Sequence, residues 1–145
     1  MKKLNFPSYS PKIKKSEKGE YSIYDPIRKK YFILTPEEWV RQHIINWLLV
    51  DKGLSELNIS VEKQIMLNGT KKRFDILVNK NAKPLLLIEC KAPNVELTNE
   101  VCLQIARYNS VLKVSHLMLS NGLESFLFKF NLEKDRYERS YSFEF

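Results

Sequence analysis

Apolar and polar positions change period several times along the chain, and each change marks an element. Pro84-Leu85-Leu86-Leu87-Ile88-Glu89-Cys90-Lys91 is an unbroken aliphatic run closed by two charges. Bounded by Pro84 and by Ala92-Pro93, it predicts a strand buried on both faces. Alternation along that strand sends Glu89 and Lys91 to one face and Cys90 to the other. Upstream, Ile59, Val61, Lys63, Ile65 and Leu67 alternate to give one mostly apolar face. Asn68-Gly69 then signals a tight hairpin, with Arg73-Phe74-Asp75-Ile76-Leu77-Val78 as the partner strand. Downstream, strands are predicted over 116–119 and 125–130 around Asn121-Gly122, and the alternating aromatics of 137–145 suggest an edge strand.

Two stretches read as helix. Thr35-Pro36-Glu37-Glu38 carries an N-cap threonine, proline at the first helical position and a glutamate at the third, the pattern of a capping box. Val40, Ile44, Trp47 and Leu48 continue at helical spacing over 36–52 until Asp51-Lys52-Gly53. The box engages Glu38 with the Thr35 amide, which leaves Glu37 beside the apolar stripe, either at a solvated edge or in a site. The second helix, over 98–112, takes Val101, Ile105, Tyr108 and Leu112 as its buried face, widened by Leu103 and Ala106. Before the first helix, 21–24 and 31–34 form a hairpin around Asp25-Pro26. Residues 1–19 have no clear period and read as an arm, loose or laid over the surface.

Strand, helix, strand in that order implies a parallel crossover beside the central strand, with antiparallel hairpins on either side. The fold class is α/β: a mixed β-sheet flanked by α-helices, in one domain over 1–145 with its core at 35–130. The net charge of +7 permits a polyanionic partner and by itself supports no more than that. Two cysteines without paired spacing, in apolar surroundings, point to reduced thiols in a cytoplasmic protein. No stretch reaches the about 20 apolar residues that cross a bilayer, so no membrane role is expected. The absence of a Gly-x-x-x-x-Gly-Lys-Ser/Thr loop argues against a nucleotide cofactor.

The chemistry gathers at the end of the central strand. An aspartate amid Phe74 and Ile76 is out of character for a strand, and a hairpin that pairs it with the central strand brings Asp75, Glu89 and Lys91 together. Neighbouring carboxylates resist joint ionisation unless a cation lies between them, and hard oxygen ligands suit Mg²⁺ or Mn²⁺. Lys91 would then orient or deprotonate a nucleophile, or offset charge on a phosphate in the transition state. The plain alternative is a structural Glu89–Lys91 ion pair with Asp75 capping a loop amide. Lys71, Lys72, Arg73, Lys80, Lys83 and Arg107 are candidates for gripping phosphates, or simply a solvated basic rim.

Asp75 followed by Glu89-Cys90-Lys91 resembles the core of the PD-(D/E)XK nuclease superfamily. Phe74-Asp75-Ile76-Leu77-Val78, Leu87-Ile88-Glu89-Cys90-Lys91-Ala92-Pro93, Gln104 with Tyr108, and Leu119-Ser120-Asn121-Gly122 narrow the likeness to the N-terminal endonuclease domain of type I restriction enzyme R subunits. The resemblance spans 35–130 and implies a restriction-endonuclease-like core. It assigns the metal to Asp75 and Glu89 with Glu37 completing the site, and the attacking water to Lys91. It places Gln104 near the site, orienting Lys91 or a phosphate. The superfamily's usual proline before the aspartate is Phe74 here, a residue that shapes the strand and does no chemistry.

The expected function is Mg²⁺-dependent DNA endonuclease, acting as a stand-alone enzyme or as the nuclease part of a split restriction system, since no motor sequence follows. Other restriction-system subunits, or a second copy forming a homodimer, are the expected partners besides DNA. Two other readings stay open. One is a non-catalytic nucleic-acid-binding module of the same fold; the other is a structural subunit whose charged strand end makes an interface.

Overall fold

The computed structural model describes residues 1–67, 69–110 and 113–142, without the side chains of Ile65, Leu67, Thr70 and Tyr108. Two sheets and two helices make up its mixed α/β architecture. Strands β1 (Ile13–Lys15), β2 (Tyr21–Asp25) and β3 (Lys30–Ile33) form a small antiparallel sheet. Helix α1 (Pro36–Asn46) follows, running into a π-helical turn, Trp47–Asp51. The large sheet has the order β4 (Ile59–Leu67), β5 (Thr70–Lys80), β6 (Lys83–Cys90), β7 (His116–Ser120), β8 (Ser125–Asn131) and β9 (Arg136–Ser140). Among the described residues only the β6–β7 pair is parallel, and helix α2 (Asn99–Asn109) makes the crossover between them. This is the parallel crossover flanked by hairpins that the element order predicts.

The aliphatic run of β6 is covered on both sides. Ile76, Ile88, Met118 and Leu127 align across the sheet and pack with Val40, Ile44, Ile45 and Leu48 of the α1 segment. Leu87, Leu117 and Phe128 point the other way, into a cluster with Cys102 and Ala106 of α2. A central strand between two helical layers has no polar face, which is why its sequence does not alternate.

One open expectation is settled and two change. The arm is anchored: Leu4 is buried in the α1-side core, the Asn5 amide donates to the Gly122 carbonyl (2.7 Å), and the Trp39 indole donates to the Lys2 carbonyl (2.9 Å). A single leucine in a basic, aperiodic stretch gives no repeat by which to recognise this. Second, the capping box is half made. Thr35 Oγ1 accepts from the Glu38 amide (3.0 Å), but the Thr35 amide donates to Ile33 O, and the Glu38 carboxylate turns inward to Arg28, Arg41 and Gln42. Third, α2 is rotated: Cys102, Ala106 and Asn109 are buried, Ile105 and Val101 half-buried, and Leu103 exposed. Small side chains at 102 and 106 let the helix lie close on the sheet, and Lys72 from β5 holds Asn109. The Tyr108 side chain, Leu112, Asn68 of the hairpin turn and the end of the predicted 137–145 strand lie outside the described residues.

Candidate functional site

The β5–β6 ladder runs Val78–Leu86, Leu77–Leu87, Ile76–Ile88 and then parts. Where it parts, the Asp75 carboxylate takes the place of a backbone acceptor: its Oδ2 accepts the Cys90 amide at 2.7 Å. Alternation fails at the same point, because Phe74 packs on the α2 side while Ile76, two residues on, packs on the α1 side. Opposite Asp75 on β4, between the paired Val61–Ile76 and Lys63–Phe74, stands Glu62 with a φ of 55°. A left-handed non-glycine residue inside a strand costs about 1–2 kcal/mol. That distortion lets Asp75 touch groups on both sides of the sheet, although counting along the strand assigns it to Leu77's face alone.

On one side lies Glu89, half-buried beside Asp75. Burial first, and then the Asp75 charge, raise its carboxyl to about 7, against the opposing pull of Lys72 and Lys91. Lys91 is half-buried just past the strand, its amide donating to the Ser120 carbonyl (2.8 Å). The segment after it is tied down by Asn121, whose Nδ2 donates to Val95 O at 2.8 Å. Asp75 and Glu89 are therefore neighbours, and the charge of Lys91 acts on Glu89.

On the other side lies Arg41, a residue the sequence reading passed over. Its guanidinium is almost fully buried, and one nitrogen, Nη2, meets Glu62 Oε1 (2.7 Å), Asp75 Oδ1 (2.9 Å) and Glu37 Oε1 (3.2 Å). Nη1 meets Glu38 Oε2, while Nε is buried with no hydrogen-bond partner among the described residues. Arg41 falls at helical spacing with Ile44 and Leu48, so a charge inside the apolar stripe was the available signal. Glu62 was legible in another way: counting back from the Asn68-Gly69 turn sets it across from Asp75. Burial, more than its neighbours, raises the Glu62 carboxyl, with Arg41 and Arg73 opposing and Asp75 adding to it.

Glu37 is about half exposed and belongs to the Arg41 side, not to the Glu89 side. Glu38, set aside on the strength of the capping box, proves the more buried; it joins Arg28, Gln42 and Arg41 in a network that also holds Asp25. Gln104 stands exposed on α2, and among the described residues no hydrogen bond joins it to Asp75, Glu89 or Lys91. Lys72 donates to Asn109 and lies over the Phe74 ring, with burial lowering its ammonium. Arg73 pairs with Glu62 (2.8 Å), Lys71 is exposed, and Arg107 is exposed on α2. Both cysteines are free and buried, and burial pushes the Cys90 thiol well up, so its backbone amide is its contribution here.

A divalent ion is a fair match to the donor chemistry. Asp75 and Glu89 are neighbouring hard-oxygen donors, and a carboxylate pair whose charges oppose each other gains by sharing a cation. Among the described residues no group of three or more acidic, histidine or cysteine side chains is placed to hold a metal ion. A Mg²⁺ ion commonly takes one or two carboxylates and completes its shell with water and phosphate.

Residues 36–142 match the family described as type I restriction enzyme R protein N terminus (HSDR_N). The chain belongs to that family. No curated protein and no solved structure gives a significant match. Within the HSDR_N domain the match takes in α1, the large sheet and α2, and so both the Asp75–Glu89–Lys91 group and Arg41. No helix among the described residues is long and apolar enough to cross a membrane.

Proposed function

We propose that this HSDR_N domain is a metal-dependent endonuclease that hydrolyses DNA phosphodiester bonds, built on a restriction-endonuclease-like core and working in the cytoplasm within a restriction system. One observation carries the reading: where β5 and β6 part, two carboxylates are neighbours and the charge of Lys91 acts on them, with the Glu89 carboxyl raised to about 7 by burial and by the Asp75 charge. Asp75 and Glu89 are the residues that would hold Mg²⁺ or Mn²⁺. Such an ion, when bound, polarises a phosphate and acidifies its water. Asp75 is fixed for that task by the Cys90 amide and by Arg41, so its orientation does not have to be found on binding. Lys91 adds positive charge beside Glu89, where a phosphate's negative charge would build up. Glu37 reaches the site through Arg41, as a support to Asp75. Of the expected residues, Gln104 draws the least support from the geometry.

The test is nicking of supercoiled plasmid with Mg²⁺ or Mn²⁺. Lys91→Ala and Asp75→Ala should each lose at least about 100-fold in rate, the range for removing a charged group that stabilises a transition state. A second reading, the non-catalytic nucleic-acid-binding module, is favoured by one fact: both Asp75 oxygens are already engaged. Wild-type protein that binds DNA yet nicks nothing with either metal would establish that module instead.

A further inference from the structure

Away from the carboxylates, α2 and β9 enclose a cleft of about 320 Å³ into which Arg107, Arg136 and Arg139 project. The acid in its lining, Glu138, is already met by Lys134 at 3.1 Å and Arg136 at 3.7 Å, so the cleft is strongly cationic. Arg139 is also held in place, with its guanidinium 4.1 Å over the Phe126 ring and 5.2 Å from that of Tyr141. A stacked guanidinium has its faces occupied and its N–H edge free, the edge that matches a phosphate. Arg107, Arg136 and Arg139 gather at one place with a single acid in the lining, and their mutual repulsion is relieved when an anion is bound.

We infer that this α2–β9 cleft grips the backbone of duplex DNA on one flank of the scissile phosphate. The inference rests on the nuclease reading for the position of the cut but has its own test. Both features lie on the α2 side of the large sheet: Lys72, whose charge acts on Glu89, is bonded to Asn109 at the end of α2, and Arg107 lies on the same helix. From the β5–β6 site to β9 is three to four strand spacings, roughly 14–19 Å at about 4.8 Å each, and along the strands Arg139 lies two rows and Arg136 five rows from the row of Glu89. The cleft is thus set back from the carboxylates, where α2 meets the last strand, and a duplex gripped there is held to one side of the cut.

The experiment uses a fluorescein-labelled 30-base-pair duplex of arbitrary sequence in EDTA, where no cutting occurs, with anisotropy read across a KCl series. The cleft variant is Arg107→Gln/Arg136→Gln/Arg139→Gln. Its control, matched in charge, is Lys14→Gln/Lys15→Gln/Lys30→Gln on the small sheet. All six are surface side chains, and thermal melts check that both variants stay folded. The cleft variant should bind at least tenfold more weakly near 0.15 M salt. The slope of log affinity against log salt should fall by about 2–3, close to 0.9 for each lost phosphate contact. The control should move the slope by less than one. Equal effects from the two variants, no effect from the cleft variant, or a wild type that does not bind the duplex would each overturn the assignment. Calorimetric Mn²⁺ titration separates this from the nuclease reading: the cleft variant should take up metal as wild type does, and loss of nicking alone would leave the cleft standing.

Discussion

The Glu89 proton gives the most direct test at the scale of a single residue. Its carboxyl, raised to about 7 by burial and by Asp75, lies above the unfolded value of about 4.3. Folded protein then holds this proton more tightly than unfolded protein does. The resulting stability is fully present below about pH 4 and is lost as pH rises through about 7. Urea unfolding of metal-free wild type should lose on the order of 2 kcal/mol between those limits relative to Glu89→Gln. The raised Glu62 carboxyl contributes with the same sign to both proteins and so cancels in the comparison. Excess Mn²⁺ should abolish the pH slope of the wild type; parallel slopes in the two proteins without metal would mean that no proton is shared. Arg41 makes the complementary case. Removing its charge leaves Glu38, Glu62 and Asp75 without their common partner, so Arg41→Met should cost about 3–5 kcal/mol in a denaturant melt. A cost under 1 kcal/mol would show that those carboxylates find water instead.

Among the elements, the turn between β7 and β8 is tuned more closely than its length suggests. Gly122 has a φ of 84°, and a Cβ there would lie 2.7 Å from Leu4 Cδ2 and 3.1 Å from Val40 Cγ2. Gly122→Ala should therefore cost at least about 2 kcal/mol, from left-handed backbone strain together with displacement of a packed leucine. A thermal melt reads it, and an unchanged midpoint would mean the arm lifts off freely. The neighbouring Asn121 accepts the Leu123 and Glu124 amides while reaching out to Val95. The Leu119-Ser120-Asn121-Gly122 stretch thus sets the course of the chain beyond Lys91 without entering the chemistry.

Taken as a whole molecule, what the sequence revealed and what it hid follow from where each signal lives. Sheet order and register were legible because they depend on local marks: the aliphatic run of β6, the Asn68-Gly69 turn, the strand–helix–strand order. That Asp75 and Glu89 are neighbours followed from register alone. Arg41 was legible only as a charge inside the apolar stripe; the carboxylates it joins on β4 and β5 were not, because no spacing encodes a contact between a helix residue and those strands. The rotation of α2 escaped notice for a similar reason, since residues of comparable hydrophobicity occupy adjacent faces and the sheet decides between them. Glu38 shows the opposite error: a strong local motif was overridden by two arginines whose positions only the fold supplies.

The anchored front of the polypeptide has a practical cost for anyone handling the protein. An affinity tag or surface tether ahead of Met1 pulls on Lys2, Leu4 and Asn5, and through them on the Gly122 turn and its grip on Val95. Immobilised in that orientation, the domain would be assayed under tension close to Lys91, and a weak signal would then describe the tether rather than the protein.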